Sequence, residues 1–315
     1  MSAAGLRRNW LVWLAVVPVA LWALFRWLGI DHGFPLAALM PFTPYVAVAA
    51  LLVAGVAVAA ENWAAAALAG LATVYLAGVV VPRAVGDGTV PVAGHETVSV
   101  LAANVHRGTA DPRALVALVD RLHPDVLSVE ELTPKFARQL RAAGLPARLP
   151  RALIEVRRGS AGSGVYTRAP LRPLPAPDRF VFRMPRVQLA LADGRRLRFV
   201  AIHPYPPQPH NVGEWEAALR SLPSGGRGAP WLLAGDFNAT LDQSQLRDLL
   251  DRGYRDAGDV AGEGLEPTFP RQGHAIPPIT IDHILADRRL GVVSYAVEEL
   301  PGSDHRAVFA ELRLP

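Results

Sequence analysis

The chain has 315 residues, no cysteine, 51% hydrophobic residues and a formal net charge of +4. The lack of cysteine excludes a disulfide framework and suits an exported domain, although cytosolic proteins can also lack cysteine. The charge does not mark a nucleic-acid binder, because basic and acidic residues are nearly balanced after residue 81. The hydrophobic fraction is high for a purely soluble enzyme, which indicates membrane-embedded segments.

Three long apolar segments come first in the chain. The first, Trp10 to Ile30, is interrupted by Arg26 near its end, and the others, Phe42 to Ala60 and Trp63 to Val81, carry no charge. At about 1.5 Å per residue, the second and third segments each reach about 28 Å, close to one hydrocarbon core. We therefore predict a membrane region over residues 1–81 with three transmembrane helices. The alternatives are a cleaved signal peptide for the first segment and buried core helices for the other two.

The orientation of this region depends on its arginines. Arg7 and Arg8 lie on one side of the first segment, whereas Arg26 and Arg83 lie near the other side, so the positive-inside count is tied. The first segment usually dominates, which predicts that the N-terminus is inside. Three crossings then carry the rest of the chain to the outer face, and a cleaved signal peptide followed by two crossings would deliver it to the same face.

A soluble domain is predicted after a linker. Pro82 to Glu96 contains Gly, Pro and Asp and is typical of a linker, and residues 97–315 form the domain. Asp111-Pro112 and Thr133-Pro134 are typical of helix starts, and Asp193-Gly194 between two alternating runs is typical of a hairpin turn. The other predicted elements are strands at Thr97 to Asn104, Asp125 to Val129, Trp231 to Ala234, Ile281 to Leu285, Val292 to Val297 and Ala307 to Leu312, and helices near Val212 to Leu222 and Gln243 to Arg252.

This alternation has consequences for the fold. Mixed parallel and antiparallel signals over about 220 residues predict one α/β domain of two packed sheets with helices outside. Such a domain is large enough to bury a sizeable core.

Polar residues suited to catalysis or metal binding stand at the ends of these strands. They are Asn104 in LAANVHRG, Glu130 and Glu131 in VLSVEELT, His203 in FVAIHPYPP, Asp236 and Asn238 in LLAGDFNAT, Asp282 and His283 in ITIDHILA, and Asp304 and His305 in SDHRA. Each motif alone is weak evidence, because polar residues gather in turns. Their recurrence at successive strand ends is not expected from chance, and it predicts one shared site.

These motifs resemble the endonuclease/exonuclease/phosphatase superfamily, the metal-dependent phosphoesterases that include DNase I, AP endonucleases and sphingomyelinases. The similarity spans roughly residues 97–314, and GDFN, SDH and IDH are its most specific pieces. The resemblance implies a four-layer α/β sandwich of the DNase I-like type, here preceded by three transmembrane helices. It also implies that the site lies at the top of the two sheets.

The resemblance implies a metal cofactor, Mg²⁺ or Mn²⁺. Glu131 would be its main ligand, with Asn104 and Asp304 beside it. Hydrolysis of a phosphate ester develops charge on the phosphoryl and leaving oxygens, and a hard cation held by carboxylate and amide oxygens can neutralise that charge.

The resemblance also assigns the catalytic residues. Asp236 would orient and deprotonate the attacking water, Asn238 would hold the phosphoryl group, and His203 would donate a hydrogen bond to it. His305 would contact the scissile phosphate. Asp282 would be its carboxylate partner, fixing the tautomer and favouring imidazolium.

One departure from the family concerns Glu130-Glu131, where the family usually has Gln-Glu. The alignment gives the metal-binding role to Glu131, and alternation along the strand would point Glu130 to the opposite face, as an outward neighbour. The same alternation predicts a structural role for His283. No role is predicted for His106, His210 or His274.

The motifs indicate phosphoester or pyrophosphate cleavage without choosing the substrate. A domain joined to three helices by a short linker always has lipid phosphates within reach. The layout resembles membrane-anchored bacterial members of the family, including the teicoplanin-resistance type, and this implies a lipid-linked phosphate at the outer face. The alternatives are a surface nuclease acting on DNA or RNA, which would want a basic groove, and a catalytically inactive membrane scaffold. The oligomeric state is left open.

Overall fold

The computed structural model describes residues 3–88, 96–271 and 276–315. Three of its helices, α1 (Ala3–Leu28), α3 (Thr43–Ala59) and α4 (Trp63–Val80), are long and apolar enough to cross a membrane. A short helix α2 (Leu36–Leu39) and a 3-10 turn precede α3. Alanines such as Ala50, Ala57 and Ala69 are fully buried between the helices, because small side chains let helix backbones approach closely.

The rest of the chain alternates strands and helices before it becomes mainly strand. In chain order the elements are β1 (Thr97–Asn104), α5 (Pro112–Leu122), β2 (Val126–Glu130), α6 (Pro134–Ala142), α7 (Leu145–Arg148), β3 (Arg151–Glu155), β4 (Ser163–Thr167), β5 (Leu171–Leu174), β6 (Arg186–Ala190), β7 (Arg196–Ile202), α8 (Val212–Arg220), β8 (Trp231–Asp236), α9 (Ser244–Asp251), β9 (Tyr254–Asp256), α10 (Ala257–Ala261), β10 (Asp282–Asp287), β11 (Gly291–Glu298) and β12 (Ala307–Arg313).

These strands form two sheets of six strands each. The first sheet has the order β11-β12-β1-β2-β4-β3, and the second has the order β5-β6-β7-β8-β10-β9. The pairs β1/β2 and β7/β8 at the sheet centres are parallel, and the other pairs are antiparallel. One hydrophobic cluster lies between the two sheets. Each sheet has one further cluster between its outer face and the helices that cover it. The predicted four-layer sandwich, preceded by three apolar helices, is therefore confirmed.

Strand alternation explains which side chains enter the space between the sheets. On β1, Val98, Val100 and Ala102 belong to the cluster between the sheets, whereas Leu101 and Ala103 face the helices. Asn104 continues the even-numbered series at the end of the strand. The same alternation turns five polar groups inward at the ends of their strands: Asn104, Glu130, His203, Asp236 and Asp282.

The strands and helices predicted after residue 96 are present, with boundaries shifted by at most two residues. The helix starts are as expected: Asp111 accepts a hydrogen bond from the backbone N–H of Arg113, and Thr133 accepts one from Phe136. Strands β3, β4, β5 and β9 and helices α2, α7 and α10 were not predicted. Much of the predicted linker, residues 89–95, and His274 lie outside the described residues.

Buried polar contacts join the apolar helices to the domain formed by residues 97–315. Asp242, in the loop between β8 and α9, accepts hydrogen bonds from Arg26 at 2.8 Å and from both terminal nitrogens of Arg83 at 2.8 and 2.7 Å. Asp31 accepts from the backbone N–H of Ser244 at 2.7 Å. Residues 97–315 therefore dock against the helices in addition to following them in the chain, because burying these charges requires the two parts to be in contact.

Candidate active site

The predicted site residues gather around one cavity of about 540 Å³ at the top of the two sheets. Its walls include Glu131, His203, Asp236, Asn238, Asp304 and His305. The two remaining predicted residues, Asn104 and Asp282, lie beneath it and are 1% and 2% exposed. Eight residues from distant parts of the chain thus occupy one place.

Asp236 lies at the centre of the cluster. Its carboxylate accepts hydrogen bonds from the Asn104 side-chain amide at 3.0 Å and from the Asn238 backbone N–H at 2.8 Å. His203 Nε2 lies 3.7 Å from Asp236 Oδ2, and His305 Nε2 lies 3.8 Å from the same oxygen. Burial raises the pKa of Asp236 to about 7, opposed by the charge of His305. Such a carboxyl can take up or release a proton near neutral pH.

His305 is held by the carboxylate that was expected to be its partner. Its Nδ1 lies 2.8 Å from Asp282 Oδ2, and its backbone N–H donates to Ser303 Oγ, which in turn donates to the Asn104 carbonyl. Burial lowers the pKa of His305, but Asp282 and Asp236 outweigh it and raise the pKa to about 10. The imidazole is therefore cationic at neutral pH and can attract a phosphate.

His203 differs from His305 in charge. Burial, together with the positive charge of His305, lowers the pKa of His203 to about 3. The ring is therefore neutral at pH 7, and Phe182 packs edge-on against it at 4.8 Å between ring centroids. A neutral imidazole can still donate one hydrogen bond to a phosphoryl oxygen.

Glu131 reaches the cavity because the strand ends just before it. Strand β2 stops at Glu130, and Glu131 has a left-handed backbone with φ 58°. One carboxylate oxygen accepts from the Arg107 backbone N–H at 2.6 Å, and the other lies 3.9 Å from His203 Nε2. Asn238 is also left-handed, with φ 49°. Backbone strain of this kind persists where the surrounding structure demands it, often at functional sites.

Glu130 points in a direction that was predicted wrongly. It is fully buried between the sheets, where its carboxyl contacts the Ser128 hydroxyl and the backbone of Gly235, so it is not an outward neighbour. The error arose because Glu130, and not Glu131, continues the inward-facing series of β2. Burial raises the pKa of Glu130 well above its usual range, which favours the neutral form. A neutral carboxylic acid is similar in size and hydrogen bonding to the Gln usual in the family.

The oxygen-rich edge of the cavity suits a hard divalent cation. Among the described residues, neither Glu131 nor Asp304 pairs with an Arg or Lys side chain; the nearest ring nitrogens are those of His203, 3.9 Å from Glu131, and of His106, 3.4 Å from Asp304. Carboxylate and amide oxygens are the donors that Mg²⁺ and Mn²⁺ prefer. Glu131, Asp304 and the nearby Asn104 therefore fit such an ion.

A second group of potential ligands has another explanation. Single atoms of Asp236, Asp282 and His305 lie within 4.8 Å of one another, close enough to hold an ion. The 2.8 Å contact between His305 Nδ1 and Asp282, however, is a normal hydrogen-bond length that a shared proton explains. Asp282 therefore orients His305 by a hydrogen bond, and the Asp236 carboxylate lies 3.8 Å from the other ring nitrogen.

Three further histidines considered in the sequence lie within the described residues, and one of them lies beside the cluster. His283 lies on the opposite face of β10, as expected, with its ring nitrogens 2.8 Å from Asp256 and 2.9 Å from the Ala239 carbonyl. His210 is exposed. His106, which was given no role, lies against Asp304.

Sequence reasoning missed several groups that shape the cavity. Arg107, Phe182, Phe269 and Ile276 line it, and the Phe269 ring lies 4.7 Å from the ring of His305. These residues stand in loops without a periodic pattern. No signal in the sequence separates them from ordinary loop residues.

Comparison with protein-family models finds a match to the endonuclease/exonuclease/phosphatase family over residues 101–305. No curated protein matches the chain.

Several solved structures share the fold. A humanised TDP2 from D. rerio superposes with a TM-score of 0.56 at 18% identity, covering 69% of this chain and 99% of that one. An endonuclease/exonuclease/phosphatase protein from Beutenbergia cavernae gives a TM-score of 0.52 at 19% identity, covering 70% and 72%. The 3′ phosphatase NExo from Neisseria, bound to a product DNA hairpin, gives 0.51 at 20% identity, covering 68% and 98%. The uncovered part of this chain corresponds in size to its N-terminal region.

Proposed function

The chain belongs to the endonuclease/exonuclease/phosphatase family, and we propose that it is a membrane-anchored, Mg²⁺- or Mn²⁺-dependent phosphoesterase that cleaves a phosphate ester or pyrophosphate bond of a lipid-linked substrate. One observation carries the lipid assignment. The three apolar helices contact the same end of the catalytic domain that carries the site.

Two loops connect the site to the helices. The loop after β8 holds Asn238 at the site and Asp242 against Arg26 and Arg83. In the segment before β10, the Pro278 carbonyl accepts a hydrogen bond from Tyr45 of α3 at 2.6 Å. If the helices span a bilayer, the cavity faces the membrane surface. A lipid phosphate lies at that level, whereas a nucleic acid would have to enter between the domain and the bilayer.

The chain's own residues support hydrolysis at phosphorus. Glu131, Asn104 and Asp304 would hold the ion, which when bound would neutralise charge developing on the phosphoryl and leaving oxygens. Asp236, with a pKa near 7, would accept the proton of the attacking water. His305, cationic and fixed by Asp282, would bind the phosphoryl oxygens, with Asn238 and His203 as further donors.

The membrane orientation belongs to the same proposal. The C-terminal ends of α1 and α4 and the N-terminal end of α3 contact the catalytic domain, so the N-terminal end of α1 is at the far end of the helices. An N-terminus inside a bacterial cell would then put the catalytic domain at the outer face. This layout is similar to the teicoplanin-resistance type of membrane-anchored family members.

The proposal is tested by measuring phosphate release from a polyprenyl pyrophosphate, with the full-length protein in vesicles containing Mg²⁺. We expect release that stops with EDTA and in His305→Ala. The matched control is His123→Asn, at an exposed helix C-cap with a left-handed backbone that Asn tolerates. EDTA-sensitive cleavage of DNA with no release from the lipid would contradict the lipid assignment and favour a surface nuclease.

A further inference from the structure

A second cavity lies where the apolar helices meet the catalytic domain. This junction cavity has a volume of about 350 Å³. Its membrane side is formed by residues before and on α3 and at the end of α4, including Pro44, Val48 and Val80. Its other side is formed by the catalytic domain, including Leu241, Pro267 and Ile279. Most of its wall is therefore apolar.

The polar side chains in this wall are already satisfied by the protein. Arg83 and Asp242 bond to each other, and Tyr45 donates to the Pro278 carbonyl. Thr280 donates to the Glu266 carbonyl at 2.8 Å. A polar or charged ligand would therefore lose its hydrogen bonds to water and find no replacement partner in this cavity. A hydrocarbon chain makes no hydrogen bonds to water, so its transfer into the cavity is favourable.

The junction cavity is open toward the hydrocarbon layer that the helices would occupy. Val48 lines it and is nevertheless 62% exposed on the outer face of α3. Leu52, one turn further along the same helix, is 67% exposed. An apolar chain could thus pass from the bilayer into the cavity without crossing water.

The junction cavity also adjoins the active site. Ile279 in its wall pairs with Phe269 through two backbone hydrogen bonds, of 3.0 and 2.6 Å. Phe269 lines the active-site cavity and packs against His305. The same strip holds the catalytic partner in place, since Thr268 Oγ1 accepts from the backbone N–H of Asp282 at 3.1 Å. The two cavities therefore share one wall.

We infer that the junction cavity binds the part of the substrate's hydrocarbon chain that lies next to its phosphate. The inference rests on the proposed function and specifies how a lipid is selected. At about 30 Å³ for each methylene-sized group, the cavity has room for on the order of ten such groups. With the phosphate at His305 and the chain in the junction cavity, the remainder of the chain continues past Val48 into the bilayer.

The test compares substrates that share a pyrophosphate and differ in chain length: isopentenyl, geranyl and farnesyl pyrophosphate. The full-length protein is assayed in detergent micelles. We expect kcat/KM to rise with chain length, by about tenfold or more from the shortest to the longest. Val48→Trp, which fills the cavity from the lipid side, should remove this gain.

A matched control separates binding in the cavity from simple concentration of long chains in micelles. Leu51 is on the same helix and is also 62% exposed, but it does not line the cavity. Leu51→Trp should keep the full gain. Val48→Ala, which cannot disturb folding by overpacking, should lose part of the gain.

The possible results separate this inference from the proposed function. Two results would overturn the inference about the junction cavity and leave the proposed function standing. In the first, the protein hydrolyses the lipid and Val48→Trp keeps the rise in kcat/KM with chain length. In the second, the wild-type protein hydrolyses the lipid and shows no such rise. Hydrolysis of a water-soluble phosphodiester without activity on any prenyl pyrophosphate would overturn both.

Discussion

Replacing Asp242 by Asn should loosen the catalytic domain from the apolar helices. The Asp242 side chain is 1% exposed, and those of Arg26 and Arg83 are 5% and 7% exposed. The substitution removes the carboxylate charge to which both buried guanidinium groups are hydrogen-bonded. Removing one partner of a buried ion pair costs about 3–5 kcal/mol. We expect the lower end, about 3 kcal/mol, because the Asn carbonyl can still accept a hydrogen bond from one arginine.

Hydrogen exchange measures this loss locally. The backbone N–H of Ser244 donates to Asp31 of the helix region. The backbone N–H of Thr240 donates to the Gln243 side chain, and that of Gln243 donates to the Thr240 carbonyl. At 1.4 kcal/mol for each factor of ten, about 3 kcal/mol predicts exchange of these amides roughly 100-fold faster in full-length Asp242→Asn.

The control is Asp120→Asn, which removes an equally short pair with Arg148, at 2.6 and 2.8 Å, on the exposed surface. Exposed pairs contribute little, so exchange in residues 240–247 should not change. Unchanged exchange in Asp242→Asn, or an equal effect of both substitutions, would refute the view that buried charge fastens the domain to the helices.

Three further predictions concern the site and the topology. Glu131→Gln should abolish metal-dependent turnover while Glu130→Gln leaves most of it, since Glu130 is buried and its raised pKa favours the neutral form. Steady-state rates in Mg²⁺ measure both, and the reverse order would move the metal site by one residue. Protease added to intact cells should remove the catalytic domain and leave the membrane stub; protection until lysis would mean that the domain faces inward. Asp282→Asn should reduce kcat on a water-soluble phosphodiester by about 10-fold or more, because His305 loses the group that fixes its tautomer. If kcat stays at the wild-type value, Asp282 does not position His305.

Local patterns were sufficient to predict most of the fold. The alternating runs of β1, β6 and β7 and the cap residues Asp111 and Thr133 define their elements without tertiary help. Strand β4 is different: its sequence SGVYT has a Gly in the interior, which disfavours a strand. The structure requires that Gly164, because a Cβ there would lie 2.8 Å from Leu132 and 2.9 Å from Ile154.

The clustering of the polar residues was predictable from the sequence because these residues end their strands. The docking of the apolar helices against the domain was not predictable. On β1 and on β8, every second side chain faces the space between the two sheets. This alternation brings Asn104 and Asp236 together there, although they are 132 positions apart in the sequence. Asp242, by contrast, has hydrogen-bond partners that are 216 and 159 residues away in the sequence. Its local sequence, LDQSQLR, indicates only a polar residue just before a helix. Only the packed structure reveals that its carboxylate is buried between two arginines.

The most direct test of the lipid assignment is a competition in one reaction. Full-length protein in vesicles is given a polyprenyl pyrophosphate in the bilayer and plasmid DNA in solution, with Mg²⁺, at low and high salt. We predict that phosphate release from the lipid dominates and persists at high salt, because the substrate is delivered through the membrane and not by charge attraction. Preferential cleavage of the DNA that falls steeply as salt rises would contradict the account, since phosphate contacts along a nucleic acid produce that dependence.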